Sequence, residues 1–389
     1  MLTFPMQKAP PRGFTIKTAH SEVVFFQPSR SARLREKSIM VIGQQDEFIK
    51  IMPIRGEKYG KRFFKTDIVW FNAIGFFLLH ALALYGSYLF LLFRINWQTW
   101  LFSVFLGMCS SQGILAGAHR YYAHRSYKAN LPLRMLIVLF HTVATQNCMW
   151  VWVRDHRQHH KFSDTDADPH NASRGFFFSH VGWLMMKKHP DVIEKGKTID
   201  MSDLDSDPLI MFQKKYYFPL FFIFSLAIPT FVPAYFWGET VLNAFMVPFL
   251  LRTVVVLNFT WMVNSWAHAF GNKPYDRNIR PVETMVVSIV AFGEGWHNYH
   301  HTFPWDYKAS EFGVRYNPTT AFINFLAKIG WAYDLKQASP SLVRARALRS
   351  GDGTHGDIVK ANNDCDTITE SIISSIKEPL SKDNCCMTE

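Results

Sequence analysis

Residues 68–93 read IVWFNAIGFFLLHALALYGSYLFLLF and residues 97–118 read WQTWLFSVFLGMCSSQGILAGA. Neither carries a formal charge, and each exceeds the roughly 20 apolar residues that cross bilayer hydrocarbon. Only Arg94, Ile95 and Asn96 separate them, which predicts a transmembrane hairpin with a very short turn. A second pair follows at about 217–237 and 241–263, joined by Gly238, Glu239 and Thr240. Pro219, Pro229 and Pro233 leave the ends of the third span open. Arg252 falls inside the fourth, where a charge must face a polar interior or the helix must outrun the bilayer.

The chain averages hide this pattern. Mean hydropathy over 389 residues is −0.03, the value of a soluble protein, because apolar runs alternate with charged ones. Net charge is +11. Residues 1–66 hold 13 Lys/Arg against 5 Asp/Glu with no sustained period, and read as a basic, largely irregular arm. No nucleic-acid motif accompanies that charge. No apolar stretch followed by a cleavage site marks a removed secretory signal. Residues 351–389 are polar and read as a disordered tail. The five cysteines show no disulfide or zinc-ribbon spacing, which fits a reducing compartment. Cys385 and Cys386 are read as solvated thiols, with palmitoylation the alternative.

Lys and Arg are concentrated in the arm and in the loop 119–216, whereas the two short turns hold one Arg and one Glu. The positive-inside rule then puts the arm, that loop and the C-terminus in the cytosol. Nine histidines fall on the same side: His119 and His124 in HRYYAH, His156, His159 and His160 in HRQHH, His268 in NSWAH, and His297, His300 and His301 in HNYHH. Residues three and four apart share a helix face, so the second and last clusters can converge if helical. Asn264 and His268 are also four apart. His119 and His124, five apart, sit about 140° from each other on an ideal helix and need a helix end or a distortion to meet. Neutral imidazole is the commonest metal-ligand type and suits zinc, copper, iron and nickel. Nine exceed one site and suit two ions with four to five ligands each. Asp164, Asp166, Asp168 and Glu294 are placed to orient the outer ring nitrogens. His80 and His141 are read as buried packing residues, His20 and His355 as solvated, and His170, His180 and His189 as supporting or structural.

HRYYAH, HRQHH and HNYHH, with NSWAH between the last two, resemble the histidine boxes of membrane acyl-CoA desaturases. The longer runs GAHRYYAHRSYKANLPLR, RDHRQHHKFSDTDADPHNASRGFFFSHVGW, VPAYFWGET and GEGWHNYHHTFPWDYKASE are similar to animal stearoyl-CoA desaturases, over roughly residues 60–350. That resemblance implies an all-α integral membrane fold, with four spans in two hairpins below a cytosolic helical cap. It implies a di-iron centre in the cap. One iron is bound by His119, His124, His156, His160 and His300. The other is bound by His159, His268, His297 and His301, with Asn264 acting through water. It implies acyl-CoA contacts at Asn72, Asn147, Arg154, Asp155, Lys187, Lys188 and Trp261, with the acyl chain in a bent tunnel. The implied reaction is O2-dependent insertion of a cis double bond, delta-9 in type, with electrons from NADH through cytochrome b5 reductase and cytochrome b5. The implied location is the endoplasmic reticulum membrane.

Two departures stand out. HRYYAH has Tyr-Tyr where Leu-Trp is usual, and Cys148 and Trp150 stand upstream of HRQHH where smaller or polar residues are frequent. Span two is rich in small residues (Gly107, Ser110, Ser111, Gly113, Ala116), which helix packing explains by default. Gly107 is also a candidate for leaving room at the tunnel end. Two rival readings use the same residues: a di-iron lipid hydroxylase or acetylenase, and a membrane metal-binding or transport protein. The second expects polar ligands near mid-membrane, whereas these histidines lie beyond the span ends.

Overall fold

A computed structural model describes residues 14–18, 21–25 and 66–360. Residues 1–60 are a unit separate from residues 61–389. Within the first, β1 (Phe14–Thr18) pairs antiparallel with β2 (Ser21–Phe25), placing Ile16 opposite Val23. Within the arm, read as largely irregular, these two strands form a short hairpin. Its β-branched and aromatic residues favour strands, a signal too short to stand out among the surrounding charges. His20, Cys365, Cys385 and Cys386 lie outside the described residues.

Four helices of the second unit are long and apolar enough to cross a membrane: α1 (Trp70–Leu91), α2 (Trp97–Ala123), α5 (Tyr217–Trp237) and α6 (Val241–His268). In α2 and α6, 67% and 56% of the most apolar window is buried in protein, against 17% and 22% in α1 and α5. The inner pair is thus α2 and α6, and the outer pair offers its faces to lipid. Both inner helices outrun the apolar stretches read from sequence, which stop at 118 and 263. Hydropathy marks contact with lipid. The last turns of both helices are instead buried among polar protein groups, where a helix continues without being apolar.

Over Gly113–Ala123 the hydrogen bonds of α2 widen to the i to i+5 pattern of a π-helix, and the His124 amide closes the run by donating to the His119 carbonyl at 3.1 Å. This is the distortion that His119 and His124 require: their ring centroids lie 4.9 Å apart. Gly113 lets α3 (Leu131–Val143) approach this segment, since a Cβ there would stand 2.2 Å from the His141 amide nitrogen. Gly107, by contrast, meets nothing nearer than Arg252 Cγ at 3.8 Å.

Glu239 joins the two hairpin tips. One carboxylate oxygen accepts from the Asn96 amide (2.8 Å) and the Thr99 hydroxyl (2.9 Å), the other from the Thr240 amide and the Asn243 side chain, both at 3.0 Å. Gly238, at φ +67°, supplies the left-handed residue that ends α5 ahead of this turn. The buried Arg252 side chain turns to the bundle interior. Its Nε donates to the Pro248 carbonyl (2.8 Å), and its terminal nitrogens donate to Ser110 Oγ (3.1 Å), the Val143 carbonyl and the Ser225 carbonyl (3.3 Å). The tension seen in the sequence is resolved by a polar interior.

Beyond the spans lie α4 (Met149–Phe162), α7 (His297–Thr302), α8 (Pro318–Lys328) and α9 (Pro340–Ser350), with short connecting helices. A two-residue strand pair, Lys128–Ala129 with Ala332–Tyr333, ties the start of α3 to the end of α8. His355, expected to be solvated, is buried. It sits at 3.0 Å from Glu311 Oε2 and edge-on to the Tyr275 ring. Its polar neighbours in sequence hid two partners that are distant in sequence.

Candidate metal centre

Each histidine motif is placed by its non-histidine residues. In HRYYAH, the buried Arg120 saturates its fork. Nε and Nη2 donate to Glu294 (3.0 and 2.7 Å), Nη2 also donates to Asn317 (3.2 Å), and Nη1 donates to the Tyr307 carbonyl (3.0 Å) and Thr320 (2.9 Å). In HRQHH, Arg157 donates to Asp203 and to the Tyr122 carbonyl, while Gln158 donates to the Ala167 and Val192 carbonyls, both at 2.8 Å. In HNYHH, Asn298 accepts from the Tyr275 and Asp276 amides and donates to the Asp276 and Pro281 carbonyls, and Tyr299 donates to Asp306 at 2.8 Å. These side chains anchor one face of each element and leave the histidines on the other.

The imidazoles converge in two groups. His119, His124, His156, His160 and His300 form one, and His159, His268, His297 and His301 the other, with the ligand atoms of each group within 4.8 Å of one another. Within the first, Nε2 of His119 and His300 are 2.9 Å apart, His300 and His160 3.0 Å, His124 and His156 2.8 Å. Within the second, His268 and His297 are 3.1 Å apart, His297 and His301 3.1 Å, His159 and His301 3.3 Å. Two nitrogens at right angles on one ion, each about 2.1 Å from it, are separated by about 3.0 Å.

Hydrogen bonds among neutral rings do not account for these contacts. The outer nitrogens of His119, His159 and His268 lie at 3.0 Å from Glu294, 2.8 Å from Asp168 and 3.1 Å from Asp164. A neutral ring that donates there presents a bare lone pair at Nε2. In the second group only His297 and His301 then carry a proton inward, two protons for three nitrogen–nitrogen contacts. A cation removes that conflict, so the donor set fits a metal in each group. Burial first, and the crowding of neighbouring rings second, hold His124, His156, His160, His297, His300 and His301 well below the usual histidine range, as neutral ligands require. For His159, burial is outweighed by Asp168, and its pKa rises; a cation held by this group would stand in for that second proton. Burial pushes Glu294 up, but Arg120 and His119 beside it prevail and draw it down to about 2.

Asn264 sits one turn before His268 on α6, half-buried, and hydrogen-bonds none of the nine imidazoles. Of the residues expected to touch substrate, Lys188, Asp155 and Arg154 form one ion-pair chain, and the others make separate contacts. Asn72 donates to the Leu184 carbonyl (2.9 Å), Lys187 faces Asp67 (3.2 Å), Lys188 pairs with Asp155 (2.8 Å), and Asp155 pairs with Arg154. Asn147, at φ +70°, accepts from the Cys148 amide at the start of α4. Trp261 is buried on α6 against the rings of Phe76, His80 and His180.

Sequence reading missed the residues between these sets. Trp152 stacks on His156 with centroids 5.1 Å apart, donates to Gln146 (3.2 Å), and Gln146 donates to Thr260 of α6 (2.8 Å). Trp152 and Phe292 both pack against Ile114, Leu115 and Ala144. Phe292 lines a cavity of about 380 Å³ among the inner helices, together with Ser87, Phe90, Gly107, Ser111 and Phe259. On the outer face, a cleft of about 430 Å³ reaches His124 past Arg125, Arg157, Lys161 and Trp305. Arg120 was legible in principle, as an arginine beside a ligand that needs a counter-charge; the Trp152–Gln146–Thr260 string has no periodic signature.

A profile of the fatty acid desaturase family matches residues 95–317. An acyl-CoA Delta-9 desaturase of Acheta domesticus is 57% identical over 294 residues, covering 75% of this chain and 81% of that protein. An acyl-CoA Delta12-desaturase of the same species is 52% identical over 304 residues, with 77% and 85% covered. The stearoyl-CoA desaturase of Homo sapiens is 54% identical over 291 residues, with 75% and 80% covered. With the match spanning both inner helices and every histidine motif, the chain belongs to the fatty acid desaturase family.

Proposed function

We propose that the protein is an acyl-CoA desaturase that inserts a cis double bond into a long-chain acyl-CoA, with O2 as co-substrate. The observation that carries this is that the two inner helices, α2 and α6, line an apolar cavity and also carry His119 and His268 into the two groups of converging imidazoles. The nine histidines would hold two irons, with Asn264 acting on the second through water. Iron, when bound, supplies the redox chemistry that an unactivated methylene pair demands and that no acid or base does at neutral pH.

The protein's own part is placement. The apolar cavity takes the acyl chain, and Gly107 and Ser111 on its wall lie roughly three and two turns before His119 on the same helix. The Trp152–Gln146–Thr260 string fixes the wall between chain and imidazoles, so that one carbon–carbon bond is presented. Asn72, Asn147, Arg154, Asp155, Lys187, Lys188 and Trp261 are assigned to acyl-CoA. Basic side chains suit its phosphates, and Arg154 and Lys188 are held ready by Asp155. Electrons arrive from NADH through cytochrome b5 reductase and cytochrome b5. The basic cleft beside His124 suits an acidic carrier whose docking weakens with salt. The cap and both termini are assigned to the cytosol, a reading supported by the concentration of Lys and Arg in the arm and the 119–216 loop, and the protein is assigned to the endoplasmic reticulum membrane. Delta-9 regiochemistry is favoured by the Acheta domesticus relative, and the Delta12 name of the other makes it a point to measure.

The test is expression in yeast lacking its own desaturase, followed by mass spectrometry with double-bond positions mapped. New cis-monoenes are expected, and His159→Ala and His301→Ala should each abolish them while the protein accumulates. Hydroxylated acyl chains instead would replace desaturation with hydroxylation; full activity in either variant would remove the metal assignment.

A further inference from the structure

The two imidazole groups differ in what stands behind them. In the five-histidine group, one carboxylate backs a ring: Glu294, at 3.0 Å from His119 Nδ1. Its charge is cancelled on the spot, because Arg120 donates twice to its other oxygen, and both side chains are only 1% exposed. In the four-histidine group, two carboxylates back two rings: Asp168 at 2.8 Å from His159 Nδ1, and Asp164 at 3.1 Å from His268 Nδ1. Among the described residues, no Lys or Arg forms an ion pair with either. Neutral donors hold them instead, with the His170 ring nitrogen also 3.3 Å from Asp168. Asp168 accepts the amides of Asp164 (2.9 Å) and His170 (3.0 Å), and Asp164 accepts the Ala172 amide (3.1 Å) and the Ser163 hydroxyl (3.2 Å). Among the described residues, the outer nitrogens of His297 and His300, one in each group, have no hydrogen-bond partner, so they do not alter the comparison.

A carboxylate accepting from a ligating imidazole makes that ligand more basic, and its charge acts at short range in a poorly polarisable interior. Both effects favour the more highly charged state of the ion beyond the ring. The supporting charge is nil for the first group and minus two for the second. We infer that the two irons are electronically unequal, with the ion of the four-histidine group the first to be oxidised and the last to be reduced, and that Asp164 and Asp168 are the positioning residues that set this order. The inference rests on the two-iron reading given above. It makes the loop 163–171, just after HRQHH, a determinant of where the first electron resides.

The full-length protein, loaded with 57Fe in detergent, is reduced stepwise with dithionite and followed by Mössbauer spectroscopy, with iron content measured on the same sample. At one electron per iron pair, the wild type should hold the mixed ferric–ferrous state well above the statistical proportion for two equal sites. Asp168→Asn keeps an acceptor for His159 but removes the charge, and should bring the mixed state down toward that proportion. Asp164→Asn makes the same test through His268 if the first variant folds poorly. A statistical mixture in the wild type, or an unchanged distribution in both variants at two irons per chain, overturns the inference. A chain that takes up no iron overturns the two-iron reading itself, a separate outcome.

Discussion

Arg252 shows what one buried charge requires. Its partners come from α2, from the end of α3, from α5 and from its own helix, so one guanidinium holds four segments where water is excluded. Arg252→Met keeps much of the volume but leaves the Val143, Ser225 and Pro248 carbonyls without this donor. A loss on the order of 3 kcal/mol is expected, read as a lower thermal unfolding midpoint in detergent; an unchanged midpoint would contradict the account. The sequence displayed the charge as a problem but not its solution, because acceptors on three other elements leave no local trace. His355 misled for the same reason: Glu311 and Tyr275 are far from it along the chain. The histidines were legible because the physics that selects them, spacing on one helix face, is itself local.

At the scale of elements, the widened turn of α2 reconciles a five-residue spacing with a common ligand position. Hydropathy and a 3.6-residue period see only an ideal helix, so the sequence indicated that a distortion was needed without giving its form. Gly113 and Gly117 let α3 press on this segment. Gly113→Ala forces a Cβ against the backbone of His141 and Phe140, and should cost about 2 kcal/mol with reduced metal retention. Gly75→Ala, in open space on α1, is the control expected to be neutral or slightly stabilising. Equal effects of the two, measured by thermal unfolding and iron content, would show that close packing of α3 does not shape the site. Glu239 is the other device of this scale, visible in sequence only as the lone acid of a turn and in the structure as the link between hairpins.

At the scale of the membrane-spanning unit, the second leg of each hairpin brings a histidine to the two imidazole groups, His119 on α2 and His268 on α6, and α4 and α7 supply most of the others. Gly107→Tyr should fill the cavity and shift preference toward shorter acyl chains by roughly tenfold in relative rate, as product analysis with paired substrates would show. Unchanged preference would sever the cavity from the acyl chain. The central claim joins metal to reaction, and the direct measurement is iron per chain and acyl product from one purified sample supplied with NADH, cytochrome b5 and its reductase, O2 and a saturated acyl-CoA. The account predicts two irons per chain and a cis-monoenoyl product whose yield falls in proportion as iron is withdrawn. Product formed without iron, or two irons with the acyl chain returned saturated or hydroxylated, would contradict it.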